Sequence, residues 1–240
     1  MLLVEDNTSI QQFMAMVLEP HPIDLSIAGS LAEARAALRA GQFDLVVTDL
    51  MLPDGSGLDL LQELHEAPGL RQSAELAVFS AGVNDAARAR LEQLGVDRVM
   101  TKPAPLAELE RQVLEAIDPA LRRAEAGPVD GAAAAGTSEQ EAIDTYFGGD
   151  SALFHAFRRS CLVQFSRDMA DGDAALAGQD TAALRRVAHS LKSVLLTLGH
   201  PALSELARQA EHDAAGGRPE AARSWLELRA GLARLTSIGP

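Results

Sequence analysis

The stretch FDLVVTDLMLPDGSGLDLL, residues 43–61, decides the fold. Its core, DLVVTD at 44–49, is a short, nearly unbroken apolar run rich in β-branched residues, the pattern of a strand covered on both faces. Four similar runs flank it: LLV at 2–4, DLSIA at 24–28, LAVFS at 76–80 and RVMT at 98–101. Amphipathic segments with clear start signals lie between them. Ser30 and Glu33 read as a capping box opening a helix to Arg39, Asn84 as the N-cap of another, and Gly95 as its stop. Five strands alternating with five helices predict a doubly wound parallel α/β sheet, in a domain that ends near Pro119.

Past that point the period changes. Residues 119–140, PALRRAEAGPVDGAAAAGTSEQ, are rich in Ala and Gly without apolar periodicity and read as a flexible linker. Such a linker spans about 25 Å r.m.s., enough to bring two sites together at about millimolar effective concentration. After Glu141 every segment has the helical period. Helices are expected over 151–165, 167–177, 180–197, 200–214 and 219–235, and their short connections predict antiparallel bundle packing. Trp225, Phe154, Phe157 and Phe165 fall on apolar helical positions and are assigned to the core, as is the single cysteine, Cys161.

Composition narrows the function classes. A chain of 240 residues that is 47% apolar and 23% charged is globular rather than disordered. A net charge of −13 repels phosphate backbones and anionic membranes, which argues against nucleic-acid and membrane partners. One cysteine excludes an internal disulfide and fits a reducing compartment. No apolar run approaches the ~20 residues that span a bilayer, and no signal segment opens the chain. A cytoplasmic location is expected, for the chain or for the larger protein of which it is part.

Open parallel sheets bind ligands beyond the carboxyl ends of their strands. Here those ends carry Glu5-Asp6, Asp49, Ser80 and Lys102-Pro103. Singly, Asp6 reads as a helix N-cap, Asp49 as a loop residue and Lys102 as a surface group. At successive strand ends, three carboxylates, a hydroxyl and an ammonium converge on one site. Carboxylates so close need a cation to stay ionised together, and Mg²⁺, a hard ion that keeps part of its water shell, suits them. Such a site suits phosphoryl chemistry with a carboxylate nucleophile.

Residues 2–118 resemble a response-regulator receiver domain through LLVEDN, FDLVVTDLMLPDGSGLDLL, VFSAG and MTKPA. The resemblance implies a flavodoxin-like sheet of order 2-1-3-4-5 and Asp49 as phosphoacceptor. It also implies Mg²⁺ held by Glu5, Asp6, Asp49 and the Met51 carbonyl, Ser80 bonded to the phosphoryl group, and Lys102 ion-paired with it. Pro53, Gly55 and Gly57 shape the tight loop beside Asp49. Two features depart from the family. Val99 stands where many receivers carry a Tyr or Phe that reports phosphorylation. The first strand also starts at Met1, which suggests a trimmed fragment or a misplaced start.

The second half, 141–236, resembles a histidine-containing phosphotransfer (HPt) domain through YFGGD at 146–150, AHSLKS at 188–193 and LGHPALSELARQAE at 198–211. His189 lies about 140° round the helix from the stripe of Leu184, Ala188, Leu191, Leu195 and Leu198. It is therefore expected on a solvent-facing, basic surface within reach of Arg185 and Lys192, an exposed imidazole ready to take a phosphoryl group. Leu196 is expected beside it as part of a docking surface, with Ser193 in place of the family's usual glycine.

Together the halves read as a phosphorelay protein. Asp49 and His189 carry the phosphoryl group, Lys102, Ser80 and Lys192 assist, and Mg²⁺ is the cofactor. The partners are an upstream histidine kinase and a downstream receiver, and transfer between Asp49 and His189 of one chain is feasible. The chain shows no P-loop or protein-kinase motif set, so it is read as a phosphotransfer protein and not an ATP-using enzyme. Three alternatives stay open: the receiver–HPt end of a hybrid sensor kinase, an aspartyl phosphatase, and a receiver that gates His189 by docking. The second is weakened by Met51, which stands where such enzymes usually need a second aspartate.

Overall fold

The computed structural model describes residues 1–118 and 138–237, which fall in two compact units. The linker expected over 119–140 lies outside the described residues up to 137.

In the first unit, β1 (Leu2–Val4), β2 (Ser26–Ala28), β3 (Leu45–Thr48), β6 (Glu75–Ser80) and β7 (Arg98–Thr101) form one parallel sheet in the order β2-β1-β3-β6-β7. Counted by themselves, its strands run 2-1-3-4-5, the order expected. The helices around them are α1 (Thr8–Leu18), α2 (Leu31–Ala40), α3 (Gly57–Glu66), α4 (Pro68–Arg71), α5 (Asp85–Gln93) and α6 (Leu106–Ile117). In-register parallel strands send alternate residues to opposite faces. Leu2, Val4, Val46, Leu76 and Val78 enter one buried cluster with Leu31, Ala34, Leu60, Leu61, Leu64 and Leu91 from α2, α3 and α5. Leu3, Val47 and Ala77 are buried on the other side.

Local signals place the helix ends with small corrections. Ser30 Oγ accepts from Glu33 N as expected, but the Glu33 carboxylate takes Gly29 N, at 2.7 Å, so the reciprocal half of the capping box is displaced by one residue. Asn84 caps α5. Asn7, and not Asp6, caps α1: its Oδ1 accepts from Ser9 N and Ile10 N. A short hairpin absent from the sequence reading, β4 (Met51–Leu52) with β5 (Gly55–Ser56), follows Asp49. Gly57 closes it against the Asp49 loop, where a Cβ would stand 2.0 Å from the Asp49 carbonyl oxygen.

The second unit is helical among its described residues. After α7 (Glu139–Phe147), which starts inside the stretch read as linker, come α8 (Ser151–Ala177), α9 (Thr181–Thr197), α10 (Pro201–Ala215) and α11 (Ala221–Ser237). Contacts run α8–α9, α9–α10, α10–α11 and α11–α8, closing a four-helix bundle. The two helices expected over 151–165 and 167–177 are one 27-residue helix. Ser166 and Arg167 do not break a helix, and Phe165 and Asp168 on either side are both buried. Phe154, Phe157, Phe165, Cys161 and Trp225 are buried, as expected. Gly199, at φ +77°, turns α9 into α10 where a Cβ would press on the Ser138 carbonyl.

Among the described residues no helix is long and apolar enough to cross a membrane.

Candidate functional site

Two groups of chemistry-bearing side chains stand out, one in each unit. In the first, the sheet register fixes the geometry. Val4 pairs with Thr48 and Thr48 with Val78, so the next row holds Glu5, Asp49 and Phe79 side by side. Lys102 follows β7, its amide donating to the Ser80 carbonyl at 2.9 Å, and precedes a cis peptide to Pro103. Its ammonium bridges two carboxylates, donating to Asp49 Oδ2 at 2.6 Å and to Glu5 Oε2. All three residues are buried. The other Asp49 oxygen, Oδ1, accepts from the amides of Leu50 at 2.5 Å and Met51 at 3.3 Å.

Burial would strip the proton from Lys102, but Asp49 and Glu5 outweigh it and hold the ammonium charged, well above the ordinary lysine range. Burial pushes the Glu5 carboxyl up to about 8; Lys102 opposes that, while Asp49 and Asp6 add to it. Three acids around one ammonium leave negative charge in excess. Among the described residues no three of His, Cys, Asp and Glu form a ready-made metal cage. Ser80 is buried at the end of β6, and its Oγ has no hydrogen-bond partner among the described residues. Val99 packs on the cluster shared with α2, α3 and α5, on the opposite face from Asp49.

The second group corrects the sequence reading. His189 is 5% exposed and does not lie on an open basic surface. The prediction assumed that α9 has a single buried stripe, but it is flanked by α8 and α10. His189, Ser193 and Thr197, spaced by four, form a second buried row. Small residues allow the close α9–α10 approach: Ala207 and Ala210 are fully buried, and Ser204 Oγ donates to the Lys192 carbonyl at 2.7 Å. Ser193 is buried in this row rather than displayed beside the imidazole, and Leu196 is half-buried.

His189 has a partner that the sequence did not offer. Its Nδ1 lies 2.7 Å from Oε1 of Glu211, one turn from the end of α10, and Lys192 Nζ donates to Oε2 at 2.8 Å. Burial pushes the Glu211 carboxyl up, yet the bonds from His189 and Lys192 prevail and hold it at about 2. An ionised carboxylate only accepts, so Nδ1 carries a proton, and the tautomer this pairing selects in the neutral ring has its lone pair on Nε2. Nε2 is buried and makes no hydrogen bond among the described residues. Arg185 is exposed, with no hydrogen bond to His189 among the described residues. Glu211 escaped the reading because it lies 22 residues away on another helix. Its one sequence signal was its place inside the matching LGHPALSELARQAE segment.

The model of the response regulator receiver domain matches residues 1–114, and that of the Hpt domain matches residues 156–238. The chain is 34% identical over 129 residues to the response regulator protein PilR of Pseudomonas aeruginosa, covering 54% of this chain and 28% of PilR. It is 36% identical over 111 residues to the probable transcriptional regulatory protein TcrX of Mycobacterium tuberculosis, 45% of each. A longer match, 25% identical over 208 residues, covers 83% of this chain and 28% of the sensory/regulatory protein RpfC of Xanthomonas campestris. The chain thus spans less than two thirds of the length of these relatives. A CheY-like receiver domain protein from Methanospirillum hungatei is similar in structure at TM-score 0.45 and 25% identity, covering 49% of this chain and 92% of that one.

Proposed function

Residues 1–114 are a response regulator receiver domain and residues 156–238 an Hpt domain, the makings of a two-component phosphorelay protein; on that premise we propose that Asp49 and His189 are its two phosphoryl carriers. The observation that carries this reading is the pairing of each residue with a partner that sets its proton state: Lys102 on Asp49, Glu211 on His189.

At the sheet edge, Asp49 attacks phosphorus of an incoming phosphohistidine. The new O–P bond forms as the N–P bond breaks, and the imidazole leaves with its lone pair restored. Lys102 keeps Asp49 ionised and then faces the equatorial oxygens. Ser80 Oγ, buried and unpartnered, has a proton to donate to one of them. The excess negative charge and hard oxygen donors suit Mg²⁺, which Glu5, Asp6, Asp49 and the Met51 carbonyl would hold. An ion that retains several waters needs no complete protein cage. When bound, the metal supplies neutralisation of the transferring group.

On the bundle, His189 Nε2 is the attacking atom. Glu211 holds the proton on the far nitrogen, so no base has to remove one from Nε2. Because Nε2 is buried, the imidazole has to be uncovered before a phosphoaspartate can meet it. Lys192 is placed to leave Glu211 for the phosphoryl group once one is attached.

The partners follow as proposals: a histidine kinase upstream, a receiver downstream, and exchange between Asp49 and His189 of one chain, all in the cytoplasm. A second reading places the chain as the receiver–Hpt segment of a longer sensory protein. The match to RpfC favours it, because 83% of this chain aligns with 28% of that protein. The test is to incubate the chain with a phosphorylated histidine kinase carrying radioactive phosphate and follow the label. Acid-stable, base-labile label places it on Asp49, and the reverse places it on His189. A chain that takes up no label, or keeps it after both residues are replaced, overturns the proposal.

A further inference from the structure

Lys102 is an ammonium buried among side chains, and its two carboxylate partners take up only part of its donor capacity. Two of its three N–H donors go to Asp49 and Glu5. The ring of Phe79 also lies close, its centroid 5.2 Å from Nζ. Phe79 is 4% exposed, fixed by its pairing with Met100 across β6 and β7. The register puts it in the same row as Glu5 and Asp49, so its ring forms the floor of the ammonium's site. A desolvated cation over an aromatic face is held by the ring quadrupole.

The aromatic residue missing at position 99 sharpens the point. Val99 faces the apolar cluster on the other side of the sheet from Asp49. We propose that Phe79 is a positioning residue for the receiver: its ring face holds the Lys102 ammonium over Asp49, where the phosphoryl group arrives. A Leu at 79 would fill the same space without the quadrupole, leaving the lysine free to lean toward Glu5.

The inference rests on Asp49 as the acceptor, and the experiment separates the two. In the full chain, phenylalanine analogues carrying one, two and three ring fluorines replace Phe79; they keep its shape and weaken its quadrupole stepwise. Phe79→Leu removes the ring. Without phosphodonor, nuclear magnetic resonance of the Lys102 side chain should show a ring-current shift that Phe79→Leu abolishes. With acetyl phosphate as donor, labelling of Asp49 should slow stepwise along the fluorine series at unchanged melting temperature, reaching about tenfold in Phe79→Leu. A missing ring-current shift, a rate that is flat across the series, or a loss that only follows melting temperature overturns the inference alone. A wild-type chain that shows the shift but takes no label overturns the acceptor reading beneath it.

Discussion

The receiver site and the Hpt site are charge inversions of one another. In the receiver one ammonium, Lys102, lies between two carboxylates, Asp49 and Glu5, with a third, Asp6, close by. In the Hpt domain one carboxylate, Glu211, lies between an ammonium, Lys192, and an imidazole, His189. The first arrangement is over-supplied with negative charge, so it calls for a cation. The second is close to balanced, so it can hold a neutral imidazole in one tautomer without a metal. A carboxylate and an imidazole need different surroundings to act as nucleophiles, because one works as an anion and the other through a neutral lone pair.

The largest expected effect cuts the comparison at its root. Asp49→Ala should eliminate the base-labile label and His189→Ala the acid-labile one, each leaving the other residue able to take phosphate from its own donor. Persistence of either label in its own mutant, read by lability and by mass mapping, breaks the comparison.

Next is the metal. Mg²⁺ at about a hundredfold its dissociation constant should stabilise the receiver by about 2.7 kcal/mol. The Hpt transition, reported by the fluorescence of the single tryptophan, Trp225, should not move. Calorimetry resolves the two transitions, and Mg²⁺ that stabilises the Trp225 unit as much as the receiver removes the contrast.

The imidazoles of one unit can be compared among themselves. His155 and His212 are exposed whereas His189 is buried. Diethyl pyrocarbonate should modify His189 at least about tenfold more slowly, since reaction needs a local opening. Equal rates, measured by mass spectrometry, would mean that the imidazole is already open.

Removing Glu211 should act on proton placement. Glu211→Ala should slow transfer to His189 by about tenfold, the low end for losing a residue that orients a reactive histidine. Glu211→Gln, whose amide oxygen still accepts from Nδ1–H, should lose less. A Gln variant as slow as the Ala variant would mean that charge and not orientation is what Glu211 provides.

A further effect is on stability against pH. The Glu211 carboxyl lies near 2 when folded and at 4.5 as a free side chain, so the folded state favours its anion. The resulting stabilisation is complete above pH 4.5 and is lost as pH falls toward 2. Urea unfolding followed at Trp225 should therefore weaken over that range in the wild type and less so in Glu211→Gln. Identical slopes would rule out the linkage.

Particular residues show how far the chain could be read directly. Asp49, Glu5 and Lys102 were legible because a parallel sheet places strand ends side by side, and the structure joins all three. His189 was found from its motif, but its surroundings were misjudged. A helical wheel shows which residues share a stripe, not how many neighbours press on the helix. The face of His189 looked basic and therefore wet, yet His189, Ser193 and Thr197 are buried where α10 packs against α9. Glu211 and Phe79 became visible only when helix pairing and strand register brought them beside His189 and Lys102.

Alternation of short apolar runs with amphipathic segments, followed by a uniform helical period, was enough to determine two units, and the resemblance to a receiver domain supplied the sheet order. Those features depend on local periodicity and on residues close in the chain. The enclosure of the imidazole, its carboxylate partner and the ring beneath the lysine depend on side chains brought together from distant segments. Packing alone decided them, because burial and charge pairing are properties of neighbours in space.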